Sequence, residues 1–157
     1  MGSIMPRCYQ LIGVPGAGKS TWIKNQIWAL GLNVVSTDAH VEAYAAEQGK
    51  TYNEVFDEYM PTAVKLMAEH VVYCREHNLD IIWDQTSVNV KSRKKKFDML
   101  PDYEHIAVVF TTPDGAELAR RLANRPGKNI PDSVMKSMIY SFEMPTEDEG
   151  FKEIWRV

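Results

Sequence analysis

The segment Gly13-Val14-Pro15-Gly16-Ala17-Gly18-Lys19-Ser20-Thr21 constrains this chain more than any other stretch. It has the form G-x-x-x-x-G-K-[ST], follows the apolar run Cys8 to Ile12, and precedes a helical pattern from Thr21 to Leu30. Strand, loop and helix in that order are the setting in which the motif binds phosphate. Small residues let successive backbone N–H groups point into one concave nest, and Gly16 and Gly18 can take angles closed to a side chain. The helix that starts near Lys19 points its positive end at the same place. Gly13, Pro15, Gly16, Ala17, Gly18, Lys19, Ser20 and Thr21 are therefore the expected contacts of a nucleotide's phosphates. Lys19 serves as a mobile charge on the outer phosphates and the Ser20 hydroxyl as a magnesium ligand.

A chain of 157 residues is expected to form one domain over 1–157, with Met1 to Ile4 read as a cloning remnant ahead of a start at Met5. Its formal charge of -3 excludes a cation that coats nucleic acid, so any basic contact must be local. Cys8 and Cys74 lie too far apart for a zinc or redox motif and imply no disulfide framework. No apolar run reaches the roughly 18 residues that span a bilayer, and no signal peptide is evident. The expectation is a cytoplasmic protein without membrane contact.

Strands are expected at Arg7 to Ile12, Asn33 to Thr37, Leu79 to Asp84, Ile106 to Phe110 and, at an edge, Phe151 to Val157. Helices alternate with them: Thr21 to Leu30 closed by Gly31, Ala39 to Gly49, one opened by the capping box Thr51 to Glu54, and one started by Pro61. The Pro61 helix carries the core stripe Val64, Met67, Ala68, Val71 and Cys74, with His70 and His77 on its solvated side. Further helices run from Gly115 to about Asn124 and from Pro131 to about Phe142. No histidine, His40 and His105 included, has a partner at metal-ligand spacing. This alternation predicts a three-layer α/β fold around a central parallel sheet with right-handed crossovers.

In such sheets sites form at the carboxyl ends of the strands. Asp38 follows the second strand and Asp84 closes the third. Asp38 is either a site carboxylate or simply part of a helix start, and Asp84 is expected on the magnesium side, either ligating the ion or holding its waters. Gln85, Thr86, Ser87 and Asn89 form a polar loop at the same edge, able to hydrogen-bond a substrate. Lys91-Ser92-Arg93-Lys94-Lys95-Lys96 is either a solvated helix face or a track for a phosphate backbone. Arg120, Arg121, Arg125 and Lys128 surround helix-breaking residues and read either as a basic lid over the phosphates or as a charged helix end.

Four segments together resemble the kinase domain of bacteriophage polynucleotide kinase and related small phosphate-loop kinases. They are GVPGAGKSTW, the strand leading to Asp38, the strand ending at Asp84, and RRLANRPGKNIPDSVMKSM. The resemblance covers nearly the whole chain. It implies an adenylate-kinase-like strand order, a lid at 120–130, ATP and Mg2+ as cofactors, and Asp38 as the general base on the attacking hydroxyl. It makes Arg121 and Arg125 the lid arginines, Lys19, Ser20 and Thr21 the phosphate and magnesium contacts, and Asp84 an acid near the ion. Thr86, Ile130 and Val134 match residues lining the substrate channel, beside Gln85. Val41 stands where the polynucleotide kinases carry an arginine that grips a substrate phosphate; either His40 or the Lys91 to Lys96 cluster replaces it, or the acceptor hydroxyl sits elsewhere.

The leading expectation is a kinase for a nucleic-acid hydroxyl, either a polynucleotide 5′ end or a 5-hydroxymethyl pyrimidine in phage DNA. Such DNA would be single-stranded or would present an extruded base, and the compartment would be the host cytoplasm. The alternatives are a kinase for a nucleoside or other small metabolite, and a non-catalytic ATP-binding module.

Overall fold

The computed structural model describes residues 5–30 and 33–157, with the side chains of all of these except 27–30. Met1 to Ile4, expected to be a cloning remnant, and Gly31, expected to close the helix from Thr21 to Leu30, lie outside the described residues. The elements alternate as β1 (Arg7–Ile12), α1 (Lys19–Leu30), β2 (Asn33–Val35), α2 (Thr37–Gln48), α3 (Tyr52–Glu76) and β3 (Ile81–Trp83). They continue as α4 (Val90–Met99), β4 (Glu104–Val109), α5 (Gly115–Ala123), α6 (Asp132–Tyr140), a 3-10 turn (Glu147–Glu149) and β5 (Phe151–Arg156). All five strands are parallel, in the order β2-β3-β1-β4-β5. This is the α/β architecture and the adenylate-kinase-like order expected from the sequence.

Period-two alternation sorts the two faces of the sheet. Cys8, Val35, Ile81 and Trp83 point to one side, where Met67, Val71 and Cys74 of α3 cover them. Tyr9, Leu11, Ile82, Ile106 and Val108 point to the other, beneath Trp22 and Ile23 of α1. Gln10 is buried on the first face, its amide donating to His105 Nδ1 at 2.9 Å while His105 Nε2 donates to the Leu100 carbonyl at 2.9 Å. His105 is thus a polar link inside the core, and burial lowers its pKa.

Three expectations are corrected here. Tyr52–Glu76 is one helix with Pro61 inside it, not two helices divided at that proline. A proline there removes one intrahelical hydrogen bond; its neighbours Asp57, Glu58 and Thr62 are exposed, where water can serve the orphaned carbonyl. The buried stripe of α3 runs through Ala63, Met67, Val71 and Cys74, while Val64 is exposed. β2 ends at Val35, because Ser36 turns to cap α2 and Thr37 is already helical.

The lysine-rich cluster also differs from both of its readings. Arg93 is fully buried in α4 and makes a bidentate ion pair with Glu149, at 2.8 and 3.1 Å, and its Nη1 donates to the Ser87 carbonyl at 2.9 Å. Lys96 is buried 5.3 Å over the Trp83 ring, and Lys94 pairs with Asp98 one turn on. Half of the expected track therefore serves the protein's own interior or surface.

Candidate functional site

The loop after β1 is stitched to the loop after β3 by the Gly13 N–H, which donates to the Thr86 carbonyl at 2.9 Å. Val14 is buried against Leu118 and Leu122 of α5, so the loop leans on the segment that follows β4. Gly16 and Gly18 have φ of +86° and +106°, the left-handed region that a side chain resists. A Cβ on Gly16 would also lie 3.0 Å from a Leu118 methyl. Lys19 opens α1, and its Nζ donates to the loop carbonyls of Gly13 and Val14. Burial lowers its pKa to about 8, against the opposing charges of Asp84 and Asp38.

Ser36 caps α2 by accepting from the Ala39 N–H at 3.2 Å. Capping is thus not the task of Asp38, which lies in the first turn with its carboxylate turned elsewhere. Its Oδ1 accepts from the Tyr52 hydroxyl at 2.6 Å, and its Oδ2 accepts from Lys128 Nζ at 3.2 Å. Asp84 directly follows β3, its N–H donating to the Val35 carbonyl at 2.8 Å, so β2 and β3 end together at the site. Burial raises the Asp84 carboxyl, with Lys19 pulling it back. Gln85 accepts from Trp83 Nε1 at 3.1 Å.

The basic segment folds over the loop from α5. Arg121 Nη1 donates to the Gly16 carbonyl at 2.9 Å, and its Nε donates to Glu117 at 2.8 Å. Arg120 also pairs with Glu117, and the two hydrogen-bonded guanidinium groups hold that carboxyl down at about 2. Arg125 has a buried Nη1 without a hydrogen-bond partner. Farther on, Asn53 in the first turn of α3 holds the chain at Gly127 and Asn129 by three hydrogen bonds of 2.8 to 3.0 Å. Lys128 lies 4.4 Å over the Tyr52 ring and bonds both Asp38 and Glu42.

These groups surround one cavity of about 870 Å³. It collects Pro15 to Thr21, Asp38, Asp84, Gln85, Thr86, Arg121 and Arg125, so most of the expected site residues converge. Gly13 stands behind the loop as a hinge to Thr86. Val41 is corrected: it is fully buried between α2 and α3 with Ala45, Val55 and Ala63, and cannot touch a substrate. Ile130 and Val134 do not line the cavity either. Ile130 packs toward Val14 and Met135, and Val134 is exposed on α6. Sequence reasoning missed Tyr52, which bonds Asp38, and Glu42, Glu117, Trp22, Asn25, Phe110 and Val157, which line the cavity. Trp22 and Asn25 are three apart on α1, a spacing that could have marked a shared face.

The cavity lining mixes both charges: Lys19, Arg120, Arg121, Arg125 and Lys128 on one hand and Asp38, Glu42, Asp84 and Glu117 on the other, with Lys19 close enough to Asp84 and Asp38 to feel both. The exposed Ser20 hydroxyl and the half-buried Asp84 carboxylate are both oxygen donors on this cavity. That donor set fits Mg2+, which keeps several waters and takes one or two protein oxygens beside phosphate. Among the described residues no group of three or more His, Cys, Asp and Glu could hold an ion without such help, and no helix is long and apolar enough to cross a membrane.

A family model described as AAA domain matches residues 10–145. The bifunctional polynucleotide phosphatase/kinase of Schizosaccharomyces pombe is 24% identical over 152 residues, which are 94% of this chain and 32% of that protein. The chain thus spans about a third of the length of that relative. Among solved structures, a candidate kinase from Chloroflexus aurantiacus j-10-fl superposes with a TM-score of 0.70 at 16% identity, covering 98% of this chain and 88% of that one. The Pnkp1/Rnl/Hen1 RNA repair complex gives 0.69 at 21% identity, over 89% and 45%. A gluconokinase from Sinorhizobium meliloti 1021 gives 0.58 at 19% identity, over 99% and 83%. At these identities the structures carry the fold, that of phosphate-loop kinases.

Proposed function

The chain belongs to the AAA domain family, as a phosphate-loop kinase domain, and from that premise we propose that it transfers the γ-phosphoryl group of ATP to a hydroxyl of a nucleic acid. The observation that carries the transfer is that one cavity is lined by the phosphate loop with Lys19, by Arg125, and by the carboxylates Asp38 and Asp84. The nucleic-acid acceptor rests on the likeness to a polynucleotide phosphatase/kinase across 94% of the chain.

In this reading the loop N–H groups and Lys19 hold the donor phosphates, while Arg121 and Arg125 in a lid at 120–130 meet the charge that builds on the transferring group. Ser20 and Asp84 would hold Mg2+, which supplies charge neutralisation on the phosphates. Asp38 accepts the proton of the acceptor hydroxyl as its oxygen bonds to the γ-phosphorus; the bond to the β–γ bridging oxygen breaks, and ADP leaves with that electron pair. Both the polynucleotide 5′ end and a 5-hydroxymethyl pyrimidine are acceptors of this type.

A second reading, a kinase for a small hydroxylated metabolite, is favoured by one observation. Glu42 joins Asp38 and Asp84 in lining the cavity, where Lys128 is already paired with two of the three carboxylates. The test presents γ-labelled ATP and Mg2+ with a 5′-hydroxyl oligonucleotide, an end-blocked duplex containing 5-hydroxymethyluracil, and a nucleoside and sugar mixture. Label in either DNA is expected; label only in small molecules promotes the second reading, and no label anywhere leaves an ATP-binding module. Asp38→Asn is expected to lower kcat by about 10²–10⁴, and normal transfer by that variant would overturn the base assignment.

A further inference from the structure

The hydroxyl of Tyr52 has a partner that no helix start requires. Tyr52 is the first residue of α3, and the needs of that terminus are already met: Thr51 Oγ1 accepts from the Glu54 N–H, and Glu54 accepts from the Thr51 N–H at 2.8 Å. The side chain instead crosses to α2 and donates to Asp38 Oδ1 at 2.6 Å. Its ring is fixed on two sides, by Phe56 at a centroid distance of 5.4 Å and by Lys128 Nζ at 4.4 Å. The backbone that carries it is pinned through Asn53 to Gly127 and Asn129.

We propose that Tyr52 is a positioning residue for phosphoryl transfer, holding the Asp38 carboxylate in one orientation so that its remaining lone pairs face the acceptor hydroxyl. This rests on the reading of Asp38 as the base. An aspartate in the first turn of a helix rotates freely about two bonds, and a base works only within hydrogen-bond reach of its proton. A rigid phenol removes that freedom at Oδ1, while the Lys128 ammonium on Oδ2 is shared with Glu42. Burial, then the bond to Asp38, raises the Tyr52 phenol above its ordinary range, so it remains a donor wherever the enzyme works. The same first turn of α3 holds the chain from Gly127 to Asn129, just beyond Arg125. The orientation of the carboxylate is thereby tied to the segment that follows Arg125.

The test has two independent parts on the full chain. First, the Tyr52 ring ¹³Cζ shift is compared at neutral pH in wild type and in Asp38→Asn, with Glu42, Arg125 and Lys128 unchanged around it. The shift is expected to move toward that of a phenol without an anionic acceptor; an unmoved shift overturns the contact whether or not the protein is a kinase. Second, Tyr52→Phe retains the ring beneath Lys128 and is expected to lower kcat at least tenfold with KM for ATP within twofold. Should that variant fail to fold, 3-fluorotyrosine at position 52 keeps the shape and donates more strongly, which weakens the base and lowers kcat a few-fold. An unchanged kcat in either variant overturns the positioning role. Normal transfer by Asp38→Asn would instead overturn the base assignment and leave the measured contact standing.

Discussion

Replacing Glu149 by glutamine tests whether the buried end of α4 braces the phosphate loop. The Arg93 side chain is 0% exposed and that of Glu149 8%, so solvent screens their two hydrogen bonds of 2.8 and 3.1 Å very little. Glutamine keeps the shape but offers one oxygen and no charge, leaving a buried guanidinium uncompensated. Breaking one partner of such a pair costs about 3–5 kcal/mol, against a total stability on the order of 5–15 kcal/mol. With a urea slope of about 2 kcal/mol/M the midpoint should fall by about 1.5–2.5 M. The damage should also reach the site, because Arg93 holds the Ser87 carbonyl and the preceding Thr86 carbonyl holds the Gly13 N–H. Urea denaturation followed by tryptophan fluorescence, with ATP affinity measured in parallel, reads both effects. A Glu149→Gln protein within 1 kcal/mol of wild type, or one whose ATP affinity is unchanged, would refute the reasoning.

Gly16→Ala should cost about 1–2 kcal/mol for its backbone angle alone and push the Leu118 methyl aside, with ATP affinity down at least tenfold by calorimetry. Lys19→Met should abolish ATP binding and yet be the more stable protein at pH 7. The Lys19 amine, lowered to about 8 from an ordinary 10.5, is charged in the folded chain at a cost that is fully present below pH 8 and disappears as pH rises to 10.5. The advantage of Lys19→Met in thermal melts should fade over that window; a constant difference would refute the cause. Within the lysine-rich cluster, Lys91→Gln and Lys95→Gln should leave stability within about 0.5 kcal/mol and, if that face meets a phosphate backbone, lower the salt slope of binding by about 0.7–0.9 each. Lys96→Met should leave binding and its salt slope untouched, because Lys96 is buried over Trp83. Asn53→Ala should release the Gly127 to Asn129 segment, seen as faster amide exchange at Asn129, which donates to the Asn53 side chain.

What the sequence made legible was local. The phosphate loop, the carboxylates at strand ends and the capping box at Thr51 are set by residues within a few positions of one another, where residue type limits the backbone directly. Features that join distant segments had no such signature. Arg93 and Glu149 are 56 residues apart, Lys128 and Asp38 90, and Arg121 and Gly16 105, and the chain between them has no period that reveals the meeting. Charge alone therefore misread Arg93 and Lys96 as surface. Val41 could have been placed better: with Ala45 it forms an i, i+4 apolar pair, the mark of a buried helix face, and the match to an arginine position in other kinases outweighed that simpler sign. Pro61 misled for a different reason: proline suits a helix start because its missing N–H would be unpaired there anyway, and an exposed position inside a helix can tolerate the same loss.

The central position of β1 sets when this protein can acquire function during its own synthesis. β1 precedes the other four strands of this sheet in the chain, yet its two neighbours are β3 and β4, which end at Trp83 and Val109. At about 5–20 residues per second, the ribosome leaves β1 without a partner for seconds. Arg121 and Arg125 emerge later still. A nascent chain thus carries its complete phosphate-binding motif long before that motif can hold a nucleotide, and ATP cannot serve as a scaffold for the early steps of folding. Binding competence should appear abruptly, once the segment beyond β4 has cleared the exit tunnel.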